Sequence, residues 1–173
     1  TTYSRSSLTQ RTVAVTGATV NGYPVRAFEA RTALPATSKG WFIDLPVPGE
    51  RIVQDAQVVS TFLIPASMVP TGNACDADGT GFSNALDAFT GTSAGGSYFD
   101  LDGNGHTDDA AVGGDNLPVG SVNLGIGMPT LPNILRGLMV VAGSSGNDED
   151  PPTSRPRWDR AALRPAAPAP RTA

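Results

Sequence analysis

A chain of 173 residues has room for one domain around one contiguous core. Its net charge of −4 and sequence pI near 4.8 exclude the basic stripe on which nucleic-acid binding depends. The 20 glycines and 15 prolines are costly inside helices and central strands, and β-branched residues fill the short apolar runs. The expected fold class is therefore all-β, with antiparallel sheets, short strands and long loops.

The expected elements follow in chain order. Residues 12–31 alternate apolar and polar positions around Asn21-Gly22, a pair that readily takes the positive φ of a tight hairpin turn, so two antiparallel strands are expected. Pro24 suggests that the second strand starts late or runs along an edge. Trp41 to Leu45 reads as a short strand closed by Pro46 and the Pro48-Gly49 turn. Val58 to Ile64 reads as a central strand ending before Pro65, and residues 71–81 form a Gly-rich polar loop. Ser83 to Phe89 reads as a strand ending at Thr90-Gly91. Residues 117–135 hold Pro118, Pro129 and Pro132 among small apolar residues, which suggests short strands with open connections. Leu138 to Ala142 reads as a buried strand ended by Gly143-Ser144-Ser145-Gly146, and no segment reads as a long helix.

From Asp148 the chain becomes rich in Pro, Ala and Arg, the composition of an extended linker, so residues 1–147 are set apart from a tail over 148–173. Lys39 is the only lysine against eleven arginines, five of which lie between Arg155 and Arg171. Cys75 is the only cysteine, so no internal disulfide can form. No apolar run approaches the roughly 20 residues of a membrane-spanning helix. The sequence opens at Thr1 without a signal-like stretch, and the expectation is a piece of something longer.

The segment that carries chemistry is Asp100-Leu101-Asp102-Gly103-Asn104-Gly105-His106-Thr107-Asp108, which matches D-x-D-x-N-G-x-x-D. Calcium is a hard cation that takes six to eight oxygen ligands at roughly 2.3–2.6 Å. Asp100, Asp102 and Asn104 supply side-chain oxygens at positions 1, 3 and 5. Gly105 permits the sharp turn, His106 offers its backbone carbonyl at position 7, and Asp108 closes the shell at position 9 directly or through water. Ala111 stands where an EF-hand has its bidentate Glu, so the reading is a nine-residue calcium loop between strands. Without a cation the same residues make an Asp/Asn/Gly turn. His106 is the single histidine, which argues against a zinc site or a catalytic base. A second acidic stretch, Asp76 to Asn84, matches less well, with Thr80 at position 5 and Asn84 at position 9. Asp148-Glu149-Asp150 reads as a solvated charge run. No Ser/His/Asp or Cys/His set has a plausible sequence context, so no enzyme is expected.

Three segments together resemble the C-terminal β-propeller domain of the type IV pilus tip adhesins and biogenesis factors of the PilY1 type. The first is Lys39-Gly40-Trp41-Phe42-Ile43-Asp44-Leu45-Pro46 followed by Gly49-Glu50-Arg51-Ile52-Val53. The second is Phe62-Leu63-Ile64-Pro65, then Cys75 and Ala85-Leu86-Asp87-Ala88-Phe89-Thr90-Gly91. The third is the acidic loop. The likeness runs over most of residues 8–146. It implies a partial propeller-like fold, since a full propeller needs more blades of about 40 to 50 residues than this length supplies. It also implies an exported bacterial protein at the cell surface or pilus, with calcium as ligand. Its partners would be the pilus tip, minor pilins, or a host or abiotic surface. A different reading is a repeating subunit of an extracellular filament, in which neighbouring subunits cover each other's open sheet edges by strand or tail exchange. A quinoprotein-like enzyme would need a full propeller, a cofactor-stacking tryptophan and a catalytic acid near calcium. Trp41 and Trp158 have packing and tail explanations instead.

Overall fold

The structure, a computed structural model, describes residues 3–71, 79–102, 104, 106–107, 111–135, 138–144 and 161–163. Asn21 and Gly22 stand at φ 49° and 85° and turn strand β2 (Val13–Val20) into β3 (Tyr23–Phe28), the hairpin expected of an Asn-Gly pair. These two strands open a five-stranded antiparallel sheet of order β2-β3-β12-β8-β7, completed by β12 (Ser121–Val122), β8 (Gly79–Asn84) and β7 (Ala66–Pro70). β3 starts at Tyr23 and lies inside the sheet, so the expectation of a late or edge strand at Pro24 fails. Pro24 falls opposite Thr19, one place past the pair that closes the turn, where the ladder to β2 asks for no N–H. Its carbonyl accepts the Asn123 N–H at 2.9 Å on the other side.

A second antiparallel sheet has the order β5-β6-β9, with β5 (Gln57–Val59), β6 (Phe62–Ile64) and β9 (Leu86–Asp87). Two sequence expectations are corrected here. The run Val58 to Ile64 is a hairpin rather than one central strand: Val59 pairs with Phe62, and Ser60 takes φ 57° in the two-residue turn. The strand-forming composition of the run hides that turn, because Ser stands where Gly is usual. The run Ser83 to Phe89 breaks at Ala85, whose N–H bonds to the Gly120 carbonyl, so β8 and β9 serve different sheets.

Smaller pieces complete the fold. β10 (Ala111–Val112) and β11 (Leu117–Pro118) form a hairpin, and β13 (Asn133–Leu135), β14 (Leu138–Val141) and β15 (Ala161–Leu163) form a three-stranded antiparallel sheet. β1 (Thr9–Arg11) runs parallel to β4 (Trp41–Ile43), the one departure among the described strands from the expected antiparallel pairing. The fold is thus all-β with open sheets, none closed into a barrel. The only helical element among the described residues is the 3₁₀ turn Arg5–Ser7. No helix of the described residues is long and apolar enough to cross a membrane. Of the tail over 148–173, only β15 lies within the described residues.

Side chains alternate across the central sheet. Val25, Ala27, Val122 and Ala85 face a core built with Ile64, Tyr98, Phe99, Val119, Met139 and Val141. The opposite face is buried but polar. Arg26 stands across from Ser121, and Ser121 across from Asn84. Ser121 Oγ donates to Asn84 Oδ1 at 2.7 Å, and Asn84 Nδ2 donates to Ser67 Oγ and the Pro65 carbonyl, both at 3.3 Å. Glu50 closes the row from above. Its Oε1 accepts Ser67 Oγ at 2.6 Å and Arg26 Nη1 at 2.8 Å, while Arg26 also lies 3.4 Å from the centroid of the Phe82 ring. The turn Val47-Pro48-Gly49-Glu50 delivers this carboxylate: Gly49 takes φ 81°, and Glu50 N–H bonds to the Val47 carbonyl.

The two most specific sequence segments also meet. Asp87 Oδ1 accepts the N–H groups of Phe89 and Thr90, both at 2.9 Å, which folds Asp87 to Gly91 into a tight turn. Trp41 Nε1 donates to the Ala88 carbonyl at 3.1 Å, and its ring lies so close to Gly91 that an added Cβ would sit 2.3 Å from Trp41 Cδ2. Gly91 also stands at φ 71°, so no other residue fits.

Two outcomes follow from this packing. Glu50→Ala should cost about 3–5 kcal/mol in denaturant titration, because it leaves the Arg26 guanidinium buried without its partner. Adding Arg26→Met should cost much less than a second independent loss; strict additivity would show that the two side chains do not act as a unit. Gly91→Ala should lower stability by about 2 kcal/mol or more through overpacking against Trp41, whereas a near-neutral effect would mean the indole can move aside.

Candidate functional site

The acidic loop leaves the core on a rigid base. Ser97, Tyr98 and Phe99 are buried, and Ser97 Oγ accepts the Phe99 N–H at 3.2 Å. The Tyr98 ring packs on Phe62 at 4.9 Å and meets Phe99 edge-on at 5.7 Å. Asp100 follows with only 4% of its surface exposed, and Leu101 returns to the core at 7%. The first carboxylate of the loop is therefore held between two core residues. Beyond the loop, Val112 on β10 and Leu117 on β11 re-enter the same core. The turn between them closes through the Asn116 N–H and the Gly113 carbonyl at 3.2 Å. Both ends of the loop are thus anchored in one hydrophobic cluster.

Between these anchors the described residues fold back on their own side chains. Asp102 Oδ1 accepts the Asn104 N–H at 2.9 Å, and Asp102 Oδ2 accepts Asn104 Nδ2 at 2.8 Å. Asn104 Oδ1 in turn accepts the His106 N–H at 2.7 Å. Two successive Asx turns result, the local conformation that Asp and Asn favour. Asp102, Asn104 and His106 are exposed, and His106 enters the network through its backbone. Of the expected ligands, Asp102 and Asn104 are brought together, Asp100 lies buried at the base, and Asp108 falls outside the described residues. Among the described residues no group of three or more His, Cys, Asp or Glu side chains is close enough to hold a metal.

The weaker acidic stretch does not assemble as written. Asp76 and Asp78 fall outside the described residues. Asn84, its expected ninth position, is buried in the polar row of the central sheet, and Thr80 Oγ1 accepts Asn123 Nδ2 at 2.7 Å. Residues that sequence reading missed are Tyr98, under the acidic loop, and the Arg26–Glu50 pair. The signal for the first was the buried-looking Tyr98-Phe99 step directly before Asp100. For the second it was an arginine inside the apolar run of β3.

No protein-family model matches the chain, and no solved structure matches it. Over 120 residues, 66% of this chain, it is 32% identical to the "Type IV pilus biogenesis factor PilY1 homolog" of Xylella fastidiosa. The chain is similar to a pilus biogenesis factor. It spans 9% of the length of that protein. This PilY1-like relationship agrees with the resemblance carried by Lys39 to Val53 and Ala85 to Gly91, whose structural contacts are described above.

Burial pushes the Tyr98 phenol up from its ordinary value, and among the described residues its hydroxyl has no hydrogen-bond partner. Burial penalises the phenolate, so ionisation costs nothing below the unfolded value near 10 and lowers stability as pH rises through the folded value. The buried hydroxyl is a separate cost at neutral pH. Tyr98→Phe should therefore raise stability by about 1 kcal/mol at neutral pH and flatten the alkaline fall in melting temperature. A clear loss of stability at neutral pH would reveal a partner for the hydroxyl.

Proposed function

We propose that this chain is a non-catalytic, calcium-binding part of an exported type IV pilus-associated surface protein. In that protein it would form part of a propeller-like domain that promotes pilus assembly or surface contact at the pilus. The observation that carries the reading is the 32% identity over 120 residues to a protein whose name places it in type IV pilus biogenesis. A cell-surface or envelope location follows from the same likeness.

The calcium reading rests on donor chemistry. Asp100, Asp102, Asn104 and Asp108 offer hard oxygens, and the His106 carbonyl adds another, the set that calcium prefers over zinc. The residues fit such an ion in two respects. Asp102 and Asn104 already turn their side-chain oxygens into the loop, and the loop's ends are fixed by Leu101 and Val112. A bound cation would neutralise the clustered carboxylates and tie the loop's first and last positions together.

Calorimetric titration should show saturable calcium binding that is lost in Asp100→Ala/Asp108→Ala. Calcium at a hundredfold its Kd should add about 2.7 kcal/mol of stability. Absence of binding in the folded wild type would reduce the loop to a turn. The pilus assignment is tested separately: the protein should co-purify with sheared surface pili, and its deletion should reduce piliation. Unchanged piliation together with absence from the pilus fraction would contradict it.

A further inference from the structure

The five-stranded sheet and the β5-β6-β9 sheet end in four edges, and three of them are closed or irregular. On β7, Met68 exchanges both backbone hydrogen bonds with Arg51, each at 2.9 Å. On β9, the Asp87 N–H is taken by the Thr92 carbonyl at 2.9 Å. β2 is broken by two register shifts, between Val13 and Val15 and between Val15 and Ala18, and such irregular edges are poor templates for pairing. β5 carries none of these devices.

The register of the β5–β6 hairpin decides what β5 presents. Val59 and Phe62 close the two-residue turn, so they form a hydrogen-bonded pair, and Val58 opposite Leu63 falls at a non-hydrogen-bonded site. The Val58 N–H and C=O therefore point away from β6, and among the described residues neither has a hydrogen-bond partner. Val58 is 61% exposed. It shares a sheet face with Leu63 and Leu86, since residues directly opposite in a ladder lie on one face. Leu63 and Leu86 line an apolar groove of about 230 Å³ with Trp41, Ile43 and Ile52, and Ile52 is itself 44% exposed. An apolar row thus runs from the interior of this sheet to an open edge.

We infer that β5 is a self-association edge, on which a second copy of this chain adds its own β5 antiparallel about a two-fold axis through Val58. Three features favour a second copy over an unrelated strand. β5 is three residues long, and its central residue alone offers both outward groups, so the natural pairing is Val58 with itself, exchanging two hydrogen bonds. That register sets Gln57 against Val59, Ala56 against Ser60 and Asp55 against Thr61, so no like charges face one another. It also continues Leu86, Leu63 and Val58 into the same row of the partner, which covers the exposed valines of both copies. The inference is independent of the calcium loop and the pilus assignment.

The test is sedimentation velocity on the full chain over a range of concentrations. A reversible dimer is expected. Val58→Lys should weaken it roughly tenfold or more, while Val53→Lys, an equally exposed apolar position outside the strand, should leave it intact. In a Cys75→Ala background, Val58→Cys should oxidise to a disulfide-linked dimer. A hydrogen-bonded antiparallel pair holds its Cα atoms about 5.5 Å apart, within the disulfide range. A monomer at every concentration, a dimer indifferent to Val58→Lys, or failure of the cysteine variant to cross-link would each overturn the inference.

Discussion

The buried ion pair between Arg26 and Glu50 organises the central sheet. Both side chains are almost wholly removed from water, at 5% and 0% exposure, so each is costly without the other. Glu50 arrives on a loop rather than a strand, and the pair therefore joins the segment after β4 to the middle of the sheet. The row behind it, Ser67, Asn84 and Ser121, uses one side chain from each of three strands. Register follows from this arrangement. β12 contributes only two residues, Ser121 and Val122, and a slip of one position would put a polar side chain into the core and a valine against the charge. Polar complementarity on one face and apolar packing on the other thus select the same pairing.

With that sheet in place, the acidic loop has a fixed base. The core that takes Val25, Ala27 and Val122 from the sheet also takes Phe99 before the loop, Leu101 at its start, and Val112 and Leu117 after it. A cation loop benefits when its ends are held, because less chain entropy is lost as ligands converge. The segments that resemble the pilus factors serve the same frame. Trp41 buttresses the Asp87 to Gly91 turn, and the Pro48-Gly49 turn aims Glu50. The segments that carry the resemblance thus make scaffold contacts.

Much of the fold was legible in the sequence because local physics governed it. Asn21-Gly22 has little choice but a tight turn, Pro48-Gly49 likewise, and the density of Gly and Pro left no room for helices. The errors occurred where tertiary pairing overrode local pattern. Val58 to Ile64 reads as continuous strand, and only the cross-strand partner of Val59 reveals the turn at Ser60. Ala85 sits in an unbroken run, yet its N–H is taken by Gly120 from a distant loop. Pro24 reads as an edge residue, but the one N–H it lacks is not required toward β2. The buried Arg26 escaped notice because charge in a strand ordinarily signals a solvated face. In the acidic loop, spacing groups Asp100, Asp102 and Asn104 as expected ligands, and the structure brings Asp102 and Asn104 together. The burial of Asp100 could not be read, because it depends on which core the neighbouring aromatics enter.

We propose that the preformed scaffold presents the loop at Asp100 to Asp108 to a cation. Amide hydrogen exchange of the wild-type chain, with calcium and with chelator, tests it most directly. Calcium is expected to slow exchange within the loop, with β3, β8 and β12 already protected in chelator. Fast exchange of those three strands without calcium, or a loop whose exchange calcium does not change, would contradict it.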